Sequence, residues 1–188
     1  MNMRKRIYNL SVAALLCAIG ILIPLIMPFP FKILIEPASF TLGSHVAIFI
    51  AMFISPFTAV LVTIGTTLGF FIAGFPPVIV ARAASQIVFA TIGALILKRR
   101  LAIIDSLKKV TIFSLGMALI HGVCEVIVSL PFYFLKLMSP GYYDKGLFVS
   151  IFLLVGVGTM IHSMIDFYIA YLIWRPIKKA TSAKAVVE

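Results

Sequence analysis

Apolar residues run along this chain in long blocks separated by short polar breaks, and the blocks set the elements. Six stand out, at roughly 7–28, 42–55, 57–74, 77–97, 110–134 and 148–174. Crossing the bilayer hydrocarbon takes about 20 apolar residues in a helix, and most blocks approach or exceed that. No block alternates polar and apolar residues as a half-buried strand would. The predicted fold class is therefore an all-α membrane protein, a six-transmembrane-helix bundle forming a single integral membrane domain over 1–188. Only Ser55-Pro56 parts the second block from the third, so these two form an antiparallel hairpin. The second block is too short for an upright span unless the loop before it dips into the membrane.

Composition supports the membrane assignment. With 62% hydrophobic and 12% charged residues, a soluble domain of this size could not hide its apolar surface. The net charge of +10 invites a nucleic-acid partner, but the placement of the charges rejects it. Three clusters at the ends of apolar blocks, Arg4–Arg6, Lys98–Arg100 with Lys108 and Lys109, and Arg175–Lys184, hold twelve of the 16 basic residues. By the positive-inside rule these clusters face the cytoplasm, which makes a multi-pass cell-membrane protein with both termini cytoplasmic. The first block follows Arg4-Lys5-Arg6 as a signal peptide would, yet it is too long and lacks a cleavage motif, so a retained helix is expected. Cys17 and Cys124 lie inside apolar blocks, with no spacing that suggests a disulfide or a zinc site.

The candidate chemistry begins in the first outer loop. From Pro28 to Thr41 it is long, half apolar and dotted with isolated polar groups, unlike a mere connector, and it suits a folded extracellular cap over a binding cavity. Glu36, Ser39, Thr41 and His45 are its candidate substrate-binding residues. Arg82 follows the Pro76-Pro77 turn by about one helical turn, with Ser85 and Gln86 at i+3 and i+4 on the same face. An arginine at mid-membrane costs about 3 kcal/mol on insertion scales. Snorkelling to the headgroups would relieve that; a water-lined cavity, favoured by the two polar neighbours, would instead let the guanidinium hold a carboxylate or phosphate.

Two further constellations place an imidazole and a carboxylate one turn apart: His121 with Glu125, and His162 with Asp166. The predicted helix directions raise Glu125 toward the outer cavity, as a substrate-binding residue. They leave His162 and Asp166 in the inner half, as an interhelical polar pair that fixes packing. Metal ligation or catalysis ranks below both, because no H-E-x-x-H motif is present. No cofactor, no metal and no catalytic residue is therefore expected. Small residues mark close approaches: Gly65-x-x-x-Gly69 inside the bundle, and Ala14-x-x-x-Ala18, which is open to internal packing or to an external partner.

Six helices, a folded first outer loop and Ala14-x-x-x-Ala18 low on the first helix resemble a substrate-binding S-component of an energy-coupling factor (ECF) vitamin transporter. The resemblance covers essentially the whole chain. It implies high-affinity capture of a water-soluble vitamin and no enzymatic activity. Its implied partners are a transmembrane coupling subunit and two ATPase subunits, with Ala14 and Ala18 as the docking surface. The absence of any G-x-x-x-x-G-K-[ST] agrees, since the chain has no phosphate-cradling loop of its own. An arginine-centred site suits niacin or pantothenate, each with one carboxylate; cobalamin would need a wider cavity. The alternative from another class is an intramembrane metal-dependent enzyme using both histidine–carboxylate pairs.

Overall fold

The computed structural model describes residues 3–35 and 38–184, without the side chains at 4–6, 33–35, 38–39 and 181–184. Helix α1 spans Met3–Ile26 and is followed by strands β1, Lys32–Ile35, and β2, Ala38–Thr41. Helices α2 (Val46–Ile54) and α3 (Pro56–Ile72) come next, then α4 (Pro77–Ser85), α5 (Ile87–Arg99) and α6 (Leu107–Phe134). A short helix α7, Gly141–Asp144, precedes a wide π-type turn over Phe148–Val157 that continues as α8, Gly158–Lys184. Four stretches are long and apolar enough to cross a membrane: Ile7–Ile26, Pro77–Arg99, Leu107–Phe134 and Phe148–Ala180.

Among the described residues the one sheet is the hairpin β1–β2, antiparallel with Lys32 opposite Thr41 and Ile35 opposite Ala38. The sequence predicts no strand there, because four residues a side are too few to show alternation. Cross-strand pairing gives a half-apolar loop a way to satisfy its backbone without water. Leu42 N–H extends the ladder to the Phe31 carbonyl, and Gly43, at φ +85, makes the turn that ends it. That turn is why the second helix starts at Val46 rather than near 42.

Short α2 is the hub of the bundle. Seven of its nine residues are buried, so it has no lipid-facing stripe and packs on all sides. Phe49 meets Phe89 of α5 and Phe167 of α8, with ring centroids 5.5 and 5.2 Å apart. Ser55 begins α3 by accepting the Thr58 N–H, with Pro56 at the first helical position, where its missing N–H costs nothing.

The predicted fourth helix is broken at Gln86. Ser85 donates its hydroxyl to the Arg82 carbonyl at 2.7 Å, and the Gln86 N–H reaches back only three residues, to Ala83. Side-chain competition for helix carbonyls is a known cause of such bends. The break leaves Arg82 in the last turn of α4.

Candidate functional site

A cavity of about 300 Å³ opens between the β-hairpin, α4 and the segment around α7. Its polar lining includes Thr41, Ser44, His45, Arg82, Gln86, Glu125, Thr159 and His162. Phe40, Phe70, Phe75, Met138 and Tyr142 give it apolar and aromatic walls. Of the sequence-predicted residues, Thr41, His45, Arg82, Gln86 and Glu125 thus share one space. Ser85 does not line it, since its hydroxyl is spent on the helix. Glu36 lies outside the described residues, as does the side chain of Ser39.

The guanidinium of Arg82 does not snorkel. It donates through Nε (3.0 Å) and Nη2 (2.7 Å) to one oxygen of Glu125, Oε2. Thr159 Oγ1 donates to the same oxygen at 2.6 Å. Glu125 is buried, so this carboxylate is the internal counter-ion of Arg82 and not a free acceptor. Placing a charge pair in lipid requires this kind of satisfaction. Nη1 of Arg82 takes no part in the pair.

A second polar centre surrounds Asp166, which is wholly buried on α8. Oδ1 accepts the Gly43 N–H at 2.7 Å, and Oδ2 accepts the His45 N–H at 2.9 Å and lies 3.1 Å from His45 Nδ1. His162 Nε2 is 3.4 Å from the same oxygen and 3.0 Å from Ser44 Oγ. His162 and Asp166 therefore belong with the turn after the β-hairpin and with the cavity, and do not form a separate pair apart from them. The reason is the length of the turn at 42–45, which brings the start of α2 down beside α8.

All three histidines of the chain meet here. The His45 ring lies 4.8 Å from that of His121 and 4.9 Å from that of His162. His121 Nδ1 pairs with Ser163 Oγ at 3.2 Å, while Nε2 lies 3.3 Å from Glu125 Oε1 without the alignment of a hydrogen bond. Two triads have donor atoms within 4.8 Å of one another and could hold a cation: His45–His121–Glu125 and His45–His162–Asp166. The sequence showed each i, i+4 pair, but nothing in it placed His45 between them. Ser44 and Thr159 also line the cavity and were not selected as binding residues, because a lone hydroxyl in an apolar run carries no positional signal.

On α1, Ala14 and Ala18 are exposed, whereas Ala13, Leu16 and Gly20 are buried against the bundle. A side-chain carbon added at Gly65 or Gly69 of α3 would collide with Cys17 or Ile21 of α1. The small residues of α3 therefore serve internal packing.

A membrane-embedded helical bundle with a partly closed, arginine-bearing cavity is the build of a substrate-capture subunit. The chain is 38% identical over 177 residues, 94% of its length and 78% of the relative's, to the niacin transporter NiaX of Lactococcus lactis subsp. cremoris (strain MG1363). The chain belongs to that family, the S-components of ECF-type vitamin transporters. The match is to a transporter, and nothing supports the alternative of a metal-dependent enzyme. No family model and no solved structure matches the chain.

Proposed function

We propose that the protein captures nicotinate, or a closely similar small monocarboxylate, from the outer face of the cell membrane. It then hands the ligand to an ECF module of one coupling subunit and two ATPases. The observation that carries this reading is Arg82, held by Glu125 at the wall of a 300 Å³ cavity with Nη1 outside the pair. A guanidinium so held presents a fixed donor pair to a carboxylate. The volume lies at the small end of ligand pockets, about 300–1,000 Å³, which fits one aromatic ring and disfavours a corrinoid. The aromatic walls from Phe40, Phe70 and Phe75 suit a flat ring, and the relative is a niacin transporter.

In this reading the chain spans the membrane six times, α4 with α5 forming one crossing and the π-type turn with α8 another. Both termini are cytoplasmic and the β-hairpin is extracellular. Three basic clusters at helix ends support that orientation. Thr41, His45, Gln86 and the residues at 36 and 39 complete the binding surface, and Ala14 with Ala18 docks the coupling subunit. Calorimetric titration of the purified protein with nicotinate, nicotinamide and pantothenate tests the substrate. Tight binding of nicotinate over nicotinamide is expected; equal affinity for the uncharged amide would remove the role given to Arg82.

A further inference from the structure

Among the described residues Asp166 has no lysine or arginine within bonding reach; its contacts are two backbone N–H groups and two imidazoles. A wholly buried carboxylate without a cation is costly, so a cation bound beside it would be stabilising. The donor geometry suits a metal. A tetrahedral ion bound at about 2.0–2.1 Å to nitrogen and oxygen ligands separates them by about 3.3 Å. Here Asp166 Oδ2 lies 3.1 Å from His45 Nδ1 and 3.4 Å from His162 Nε2. Ser44 Oγ stands 3.3 and 3.0 Å from the same two nitrogens, at a fourth corner. The supporting shell is also present, because the N–H groups of Gly43 and His45 fix both oxygens of the carboxylate. Neutral imidazoles are common metal ligands, and His45 and His162 both line the cavity.

We propose that His45, His162 and Asp166 bind a divalent transition-metal ion of the zinc type, with the Ser44 hydroxyl at a fourth corner that faces the cavity and from which a ligand can displace it. A carboxylate oxygen or ring nitrogen of the transported ligand can enter there. That last point rests on the nicotinate reading; the metal site does not. Spacing within α8 supplies two of the three ligands, and the turn after the β-hairpin supplies the third, on a different element more than a hundred residues away in sequence.

The test uses full-length protein purified without a histidine tag, stripped with a chelator and titrated with Zn²⁺ or Co²⁺. Bound metal is measured by mass spectrometry after desalting, and Co²⁺ is followed by its visible absorption. About one equivalent is expected, with tetrahedral cobalt bands, and His162→Ala should weaken it by at least about tenfold. His162 is the informative position because its polar contacts are with the side chains of Ser44 and Asp166, so its loss spares the turn that Asp166 holds. Substoichiometric metal in the wild-type protein, or equal metal in wild type and His162→Ala, would overturn the proposal. Nicotinate titrations of stripped and loaded protein run in parallel, so failure of nicotinate to bind is read separately from failure to bind metal.

Discussion

Asp166 accepts the backbone N–H of Gly43 at 2.7 Å, tying the last helix to the turn that starts α2, across 123 positions of sequence. The first turn of α2 has no side-chain cap of its own, and His45 at its N-cap makes none. The orphan donors at a buried helix start must be met from elsewhere; Asp166 meets that of His45 at the cap and, just ahead of the helix, the N–H of Gly43. One carboxylate thereby sets where α2 begins and where His45 points.

Asp166→Ala should therefore destabilise the whole bundle, by the roughly 3–5 kcal/mol typical of breaking a buried charged network. Asp166→Asn keeps an acceptor for Gly43 but turns an amide toward the His45 N–H, and should fall between wild type and alanine. Thermal unfolding in detergent or nanodiscs would rank the three. An alanine variant as stable as wild type would show that α2 is held by its apolar contacts alone.

The pair on the cavity wall behaves differently. Arg82→Ala removes the proposed ligand donor and also leaves Glu125 buried without its cation. Affinity for nicotinate should drop by about 2–5 kcal/mol, and stability should drop with it. The double variant Arg82→Ala/Glu125→Gln should recover much of the stability and none of the affinity. Calorimetry and unfolding on the single and double variants separate the two effects. Full recovery of binding in the double variant would mean that Arg82 serves only to neutralise Glu125.

Long apolar runs, the Ser55-Pro56 turn and the basic helix ends were plain in the sequence, because hydropathy and proline act locally. Arg82 and Glu125 were also legible as separate cavity candidates, since a charge in lipid demands an explanation. Their direct pairing was not, for it depends on how α4 and α6 face each other. The same limit hid the meeting of His45 with His121 and His162: an i, i+4 pair is visible on one helix, and a contact between helices is not. The β-hairpin was missed for a different reason. Its strands are four residues long and its pairing is a backbone property that side-chain periodicity does not report.

Transport should need the partner subunits. The sequence has no G-x-x-x-x-G-K-[ST] loop, and among the described residues Arg82, Glu125 and Asp166 are held in fixed pairs and caps rather than in a file across the bilayer. Reconstituted alone in liposomes, the protein should bind radiolabelled nicotinate without accumulating it. Adding the coupling subunit, ATPases and ATP should restore uptake. Concentrative uptake by the isolated protein would require another energy source and would contradict the S-component mechanism.

Two small-residue motifs should respond in opposite ways to the same substitution. Ala14 and Ala18 lie on the exposed side of α1, whereas Gly69 faces Ile21 across the α1–α3 contact. In lipid, helices associate through close packing, without a hydrophobic drive, so a bulky side chain at either motif removes contacts that nothing replaces. At Gly69 the lost contacts are internal: Gly69→Leu should cost about 1–3 kcal/mol of stability by overpacking, and weaken ligand binding as the wall that bears Phe70 shifts. At Ala14 the side chain is exposed. Ala14→Leu should leave unfolding temperature and nicotinate affinity unchanged while abolishing co-purification with the coupling subunit. Ala14 is about 15 Å along α1 from Pro24, which lines the cavity, at a rise of about 1.5 Å per residue, so a direct effect on the ligand is not expected. Measuring affinity, stability and assembly on these two variants decides the matter. Loss of binding with assembly retained in Ala14→Leu would place that face inside the working bundle and move the docking surface elsewhere.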